Sequence, residues 1–369
     1  MTAFVVGAVD GDARTGVLST AHGEVRTPAF MPVGTHATVK ALHPDEVRAT
    51  GVDILLCNAY HLALRPGIEL IEQAGGLHKF MNWDHPILTD SGGYQLVSLA
   101  EVAAVDDDGA TFVSPYDGSR LRVTPEEAVS NQARLGADVV MCLDHPVAHG
   151  TAAVVAREAT ERTHRWAERC RAAHPGNGHL LFGIAQGGFD ADARRGSARF
   201  MSGLDFDGVA IGGLSVGEPV ETMLAMTEAS VAELAPDRAR YFMGLGTDSE
   251  LLAAIALGVD MFDCVVPTRL ARNGSAMTPD GRLSLRNAAA RDAFKPIDPD
   301  CPCAACTGFT RAYLRHLFQS GEILAHRLVS LHNITHLSRL MEAARSAIRG
   351  GTFAAFRSER DGRLRSGPR

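Results

Sequence analysis

Apolar runs of four to seven residues recur through the first two thirds of the chain, and each closes on a polar residue or a glycine. They read Asp53-Ile-Leu-Leu-Cys-Asn58, Pro86-Ile-Leu-Thr-Asp90, Asp138-Val-Val-Met-Cys-Leu-Asp144 and Leu180-Leu-Phe-Gly-Ile-Ala-Gln186. Gly208-Val-Ala-Ile-Gly-Gly213, Tyr241-Phe-Met-Gly244 and Val259-Asp-Met-Phe-Asp263 follow. Near-continuous apolar character predicts strands buried on both faces, as in a parallel sheet. Between them, residues 152–173 and 220–234 carry apolar positions at helical spacing. Strand–helix alternation of this kind predicts βαβ units. Seven or eight units favour an α/β fold of the (β/α)8 TIM-barrel type over a doubly wound open sheet. No glycine-rich dinucleotide fingerprint follows the first strand, and Gly212-Gly-Leu-Ser-Val-Gly217 lies late and lacks its spacing.

In such barrels the reacting groups stand at the C-terminal ends of several strands. Here those ends carry Asn58 with His61, then Asp90, Asp144, Gln186, Gly213 and Asp263. A single aspartate after a strand is usually a turn residue or a helix cap. Three carboxylates and an amide around one rim point instead to a site. After Asp263 the alternation breaks. Residues 269–295 hold Arg269, Arg272, Arg282, Arg286, Arg291 and Lys295 against Asp280 and Asp292. A helical stretch is expected from Thr310 to about Arg349. This divides the chain into a barrel (1–268, with short N-terminal strands), a basic and cysteine-bearing subdomain (269–350), and a tail (351–369) expected to be mobile beyond Arg357.

The chain has 369 residues, of which 46% are hydrophobic and 21% charged, enough apolar material for a large core. The net charge of -7 excludes a general nucleic-acid coat while allowing a local basic patch. No apolar run is long enough to span a membrane, and no signal peptide is apparent, so a cytoplasmic protein is expected. Of seven cysteines, Cys57, Cys142, Cys170 and Cys264 are scattered singly, which suits a reducing compartment. The other three form Cys301-Pro-Cys303-Ala-Ala-Cys306. Three thiols at this spacing predict a structural zinc site, since four protein ligands close such a site. A disulfide would leave one cysteine over. The fourth ligand is open by spacing alone, because His316, His326, His332 and His336 all follow.

Several long motifs resemble the tRNA-guanine transglycosylases, of bacterial type. They are Asp90-Ser-Gly-Gly-Tyr-Gln95, Gln186-Gly-Gly188, Gly212-Gly-Leu-Ser-Val-Gly-Glu218, and Met261-Phe-Asp-Cys-Val-Val-Pro-Thr-Arg269 with Arg272-Asn-Gly274. The resemblance runs from about residue 15 to 350, with the motifs in order. It implies a barrel with an inserted zinc subdomain that exchanges a guanine in the tRNA anticodon loop for a deazaguanine base.

Base exchange with retention at an anomeric carbon calls for a covalent glycosyl intermediate, one ionised carboxylate and one proton shuttle. The resemblance implies Asp263 as nucleophile and Asp90 as general acid/base. It places Asp144, Gln186, Gly213 and Leu214 around the base, with Tyr94 and Met243 on its two faces. It assigns Arg269 and Arg272 to the RNA, Cys301, Cys303, Cys306 and His332 to zinc, and implies a homodimer. Val216 resembles the bacterial pattern, which suits 7-aminomethyl-7-deazaguanine. By contrast, His145-Pro146-Val147-Ala148 is closer to queuine users, so direct queuine use is the alternative. Thr247-Asp248 replaces residues that often include a lysine. A non-catalytic partner subunit would lack the carboxylates, all three of which are present. An unrelated barrel hydrolase with a zinc staple fits the basic run poorly.

Overall fold

The computed structural model describes residues 3–98 and 102–367. Eight parallel strands close into a barrel. They are β1 (Ala29–Gly34), β2 (Leu55–Asn58), β3 (Ile87–Asp90), β4 (Val139–Met141), β5 (Leu180–Ala185), β6 (Gly208–Ile211), β7 (Ala239–Phe242) and β8 (Met261–Cys264). Each pairs with the next in sequence, and β8 closes on β1 with Met261 opposite Ala29 and Asp263 opposite Met31. The seven apolar runs are β2 to β8. The eighth strand, β1, escaped the sequence pattern because Pro32 interrupts it and Pro28 precedes it. Proline lacks a ladder donor and argues against a central strand.

Strand side chains alternate between the barrel interior and the helices outside. The interior layer holds Met31, Leu56, Leu88, Met141, Ile184, Ala210, Tyr241 and Met261, all buried. The next inward positions toward the C-terminal rim are Asn58, Asp90, Gln186, Gly212 and Asp263. The apolar alternation that fills the barrel therefore also aims the polar residues into its mouth.

The opposite end is plugged. Strands Phe4–Asp10, Ala13–Thr20 and Gly23–Thr27 form an antiparallel sheet. From it Phe4, Leu18 and Val25 join the interior cluster. Arg14 makes a two-pronged pair with Asp260, just before β8, at 2.9 and 2.6 Å. Asp138, just before β4, accepts from His22 at 2.8 Å and His78 at 3.2 Å. The His22 and His78 rings lie stacked, with centroids 3.6 Å apart and planes 17° from parallel. A single ion cannot lie in both ring planes in that arrangement, so this group is a hydrogen-bonded clamp, although its residue types could ligate a metal.

Between β3 and β4 an antiparallel sheet (Val102–Val105, Ala110–Val113, Arg120–Val123) is inserted, which the sequence pattern did not suggest. Its Asp107 turn is gripped by helix Ala153–Ala173 through Arg162 at 3.1 Å, Arg165 at 2.7 Å, and the Trp166 indole N–H on the Asp107 carbonyl at 2.8 Å.

After β8 come helix Val266–Arg272 and the hairpin Ser275–Thr278/Gly281–Ser284. The 268/269 boundary falls inside that helix. The expected single helical stretch is two helices, Arg311–Gln319 and Ile323–Arg349, broken at Gly321 with φ +73°. Glycine takes this left-handed turn without a Cβ penalty. Helix Ile323–Arg349 runs back along the barrel, and Arg345 donates to the Pro28 carbonyl at 2.6 Å.

The tail departs from expectation. Phe353–Ser366 is a helix. Phe353 is buried, Arg360 pairs with Asp248 at 3.2 Å and Arg363 with Asp280 at 2.9 Å. Its arginine-rich composition reads as a solvated tail because these partners lie about a hundred residues away in sequence. Residues 368 and 369 lie outside the described residues. Among the described residues no helix is long and apolar enough to cross a membrane.

Candidate active site and metal group

Three carboxylates converge at the mouth. Asp263, at the inward end of β8, accepts from the Tyr241 phenol at 2.6 Å and from the Gly244 N–H at 2.9 Å. Burial pushes its carboxyl above the ordinary value, and these two donors hold the rise back. Asp90, at the end of β3, accepts from the Asn58 amide and from the Ala59 N–H. Burial pushes its carboxyl well above the ordinary value. The Ala59 bond opposes this, and the charges of Asp263 and Asp144 add to it. Buried like charges cannot all ionise together, so one group keeps its proton. Asp263 takes both of its donors on one oxygen, whereas Asp90 takes one on each.

Asp144 is 4% exposed and accepts from the Gln186 amide at 2.7 Å. Burial pushes its carboxyl up to about 7, against the Gln186 bond. The loop after β3 lies directly on it: a Cβ at Gly93 would fall 1.9 Å from an Asp144 oxygen. Only glycine allows this approach. Gly213 has φ +67°, and a Cβ there would sit 2.3 Å from the Gln186 side-chain carbonyl. Gln186 thus spends one N–H on Asp144 and lies against the Gly212–Gly213 backbone. Leu214 is buried beside it, Met243 is half-buried against the barrel interior, and Tyr94 is 55% exposed at the rim.

The residue after Asp144 is held too. Arg162 donates to His145 Nδ1 at 3.1 Å, and the His145 N–H donates to the Thr163 hydroxyl at 2.9 Å. Burial and then Arg162 lower the His145 imidazole to about 4, so its proton sits on Nε2. Val216 is fixed by Glu218, whose carboxylate accepts its N–H at 2.9 Å and the Ser215 N–H at 2.5 Å.

Arg269 and Arg272 occupy the last turn of the helix that follows Asp263. Arg269 is exposed, Arg272 half-buried, and neither has a carboxylate partner among the described residues. One Arg272 guanidinium nitrogen is buried without a hydrogen-bond acceptor. Burial and the charge of Arg269 lower the Arg272 guanidinium, the electrostatic signature of a pair lacking an anion.

Cys301, Cys303, Cys306 and His332 are all buried, with ligand atoms within 4.8 Å of one another. His332 Nε2 meets the Met277 carbonyl at 2.8 Å, which can only accept, so the proton is on Nε2. The Nδ1 lone pair then faces the sulfurs of Cys306 at 3.2 Å and Cys303 at 3.7 Å. A backbone carbonyl fixing the tautomer from behind is the usual support of a metal-binding imidazole. Of the other histidines, His336 pairs with Asp248, His326 packs edge-on against Phe318, and His316 is exposed. The four-residue group can hold a metal ion.

Residues that sequence reasoning did not single out also build the site. Tyr241 holds an inward position of β7 and reads as core. Asn58 was noted only as a strand end. Arg194, fully buried, donates to the carbonyls of Gly188 at 2.8 Å and Gly212 at 2.6 Å, tying two mouth loops together. No local signal marks it, because its partners are backbone atoms.

The queuine tRNA-ribosyltransferase family model matches residues 10–365. A queuine tRNA-ribosyltransferase from Desulfosudis oleivorans is 51% identical over 352 residues, covering 94% of this chain and 92% of its own. One from Herpetosiphon aurantiacus is 52% identical over 347 residues (94% and 88%), and one from Solidesulfovibrio magneticus 50% over 358 residues (96% of each). With three carboxylates at the rim and a Cys3His group in the subdomain, the chain belongs to the queuine tRNA-ribosyltransferase, or tRNA-guanine transglycosylase, family.

Proposed function

We propose that this chain replaces guanine at the anticodon wobble position of tRNA with 7-aminomethyl-7-deazaguanine, through a covalent tRNA–Asp263 intermediate. The observation that carries this is the meeting of three buried carboxyls at the barrel mouth: Asp263 receives two donors on one oxygen, and Asp90 is raised well above its ordinary value by burial, with the charges of Asp263 and Asp144 adding to it. The Asp263 carboxylate attacks the ribose anomeric carbon as the bond to guanine breaks, and the Asp90 proton goes to the departing base. The incoming base then gives a proton to Asp90 and displaces Asp263 from the same carbon.

Asp144 accepts from the amide and amine edge of the base, while Gln186 and the Gly213 N–H face its carbonyl, with Leu214 beside them. Tyr94 and Met243 lie on its two faces. A base is reached in a single-stranded loop because there it can leave the stack. Arg269 and Arg272, without protein anions, suit the loop phosphates. Zinc, held by Cys301, Cys303, Cys306 and His332, supplies a structural staple and takes no part in the reaction.

For the incoming base, Val216 stands clamped by Glu218 and favours the small aminomethyl group. His145, drawn to Arg162, leaves Pro146 and Val147 after Asp144, and this favours direct use of queuine as the second reading. The homodimer implied by resemblance is part of this reading.

Incorporation of labelled guanine into tRNA tests the activity, with Asp263→Ala as control. Absence of exchange by the intact chain, or undiminished exchange by the variant, refutes it. Competition by each deazaguanine decides between the two bases.

A further inference from the structure

One helix serves both the metal group and the loop that touches Asp263. His332 and, one turn later, His336 lie on helix Ile323–Arg349. His336 is buried and its Nε2–H donates to both Asp248 oxygens, at 2.8 and 3.0 Å. Asp248 is itself 5% exposed, and its remaining partner is Arg360 of the C-terminal helix at 3.2 Å. Burial alone would raise the Asp248 carboxyl, but His336 and Arg360 together hold it below the ordinary value. It is therefore a buried anion with two cationic or donating partners, and removing either leaves it undercompensated.

Asp248 ends a short loop that leaves β7 at Met243. The first residue of that loop, Gly244, gives its N–H to Asp263. Two residues on, Gly246 packs so closely on β8 that a Cβ would lie 2.6 Å from the Cys264 Cβ. The loop is thus pressed against the reacting strand at one end and anchored by Asp248 at the other. Only three residues separate the donor to Asp263 from the anchor, too few to absorb a displacement without moving the Gly244 N–H.

We propose that His336 and Arg360, by fixing Asp248, are positioning residues for the Asp263 carboxylate. The proposal rests on Asp263 being the nucleophile. Neither residue touches the substrate; they act through the loop from Gly244 to Asp248. The histidine next to the metal ligand in the helix register then has its own role, distinct from holding zinc. The C-terminal helix, through Arg360, belongs to the catalytic apparatus although it lies outside the barrel.

The test compares variants of equal polarity and different reach. His336→Gln keeps a donor within range of Asp248, whereas His336→Asn falls short. The Asn variant should lose kcat for guanine exchange roughly 10- to 100-fold, the scale of a small misplacement of a reacting group. KM for tRNA and guanine should stay within about twofold, and bound zinc should match the parent. The Gln variant should recover most of kcat. Arg360→Gln, a change near the surface, should lower kcat severalfold and serves where the Asn variant does not fold. Parental kcat in a folded His336→Asn, or in Arg360→Gln, overturns the proposal, as does a fall in kcat that only tracks lost zinc. Asp263→Ala is measured alongside: if it retains exchange, the nucleophile assignment has failed, not the positioning argument.

Discussion

The Tyr241 phenol donates a hydrogen bond to Oδ1 of Asp263 at 2.6 Å, from the neighbouring barrel strand. Burial and the adjacent carboxylate hold that phenol well above its ordinary value, so it stays a donor throughout the working range. A hydrogen bond to a charged group contributes about 1.5–3 kcal/mol. Tyr241→Phe keeps the ring and removes the donor. We expect kcat/KM at neutral pH to fall roughly 10- to 100-fold. The sign of the pH effect follows from the same bond. Without it the Asp263 carboxyl rises further, so the acid limb of the profile moves to higher pH. An acid limb that stays in place would show that Tyr241 does not act on Asp263.

Burial of Asp144 sets its charge against stability. Its carboxyl is raised from an ordinary 3.8 to about 7 by burial, so folding opposes its charge. That cost is fully present above pH 7 and disappears as the pH falls toward the unfolded value. A rise of this size corresponds to about 4 kcal/mol at most. Asn at this position can still accept from Gln186. Asp144→Asn should therefore unfold at higher urea than the parent at about pH 8, with the difference closing near about pH 4. Guanine exchange should be lost, and in the parent KM for guanine should rise as pH falls through about 7. Equal urea midpoints at the higher pH would remove the argument.

Why the sequence could be read so far, and no further, follows from where the interactions lie. Strands β2 to β8 are each legible because buried parallel strands must be apolar throughout, and the first polar residue after each marks the rim. That placed Asp90, Asp144, Gln186 and Asp263 on one face before any geometry was known. β1 hid behind Pro32, since its environment tolerates a missing donor that composition alone cannot reveal. Tyr241 hid because an aromatic in an apolar strand looks like core, and its hydroxyl becomes functional only through Asp263 on the next strand. The histidine ligand is a matter of register along one helix: His332 and His336 are equivalent in spacing, and Asp248, some ninety residues earlier, claims the second. The tail helix depends on Arg360 and Arg363 meeting Asp248 and Asp280. Long-range ion pairs leave no periodic trace.

At the closed end of the barrel, Asp138 should matter for stability and not for turnover. Its carboxylate accepts from His22, His78 and the Ile87 N–H, the last at 2.8 Å. Burial would raise its carboxyl, but the His78, His22 and Ile87 bonds hold it below the ordinary value. Its contribution is thus complete above the unfolded value near about 4, and is lost as pH falls through the lower folded one. Asp138→Asn breaks a buried pair and should cost roughly 3 kcal/mol in urea unfolding at neutral pH. Because Asp138 precedes β4 while Asp263 closes β8 at the far rim, kcat of the folded variant should equal that of the parent. A variant of parental stability, or one that is stable but slow, contradicts this account.

Removal of the metal should separate the staple from the chemistry. The three thiols and His332 are buried, and the Cys301–Cys306 turn joins the subdomain's apolar cluster through Ala305 and the cysteines themselves. Ligands of this kind bind zinc as thiolates and neutral imidazole, and the binding free energy, roughly 10 kcal/mol or more in small modules, becomes folding energy of the segment they close. The intact chain should carry one zinc per chain. Cys303→Ser, or exhaustive chelation, should release it and expose residues 286–322 to proteolysis while the barrel stays protected. Guanine exchange should fall because Arg269 and Arg272 lose the surface packed beside them, and KM for tRNA should rise more than KM for guanine. Equal loss of both would contradict a purely structural role for the metal.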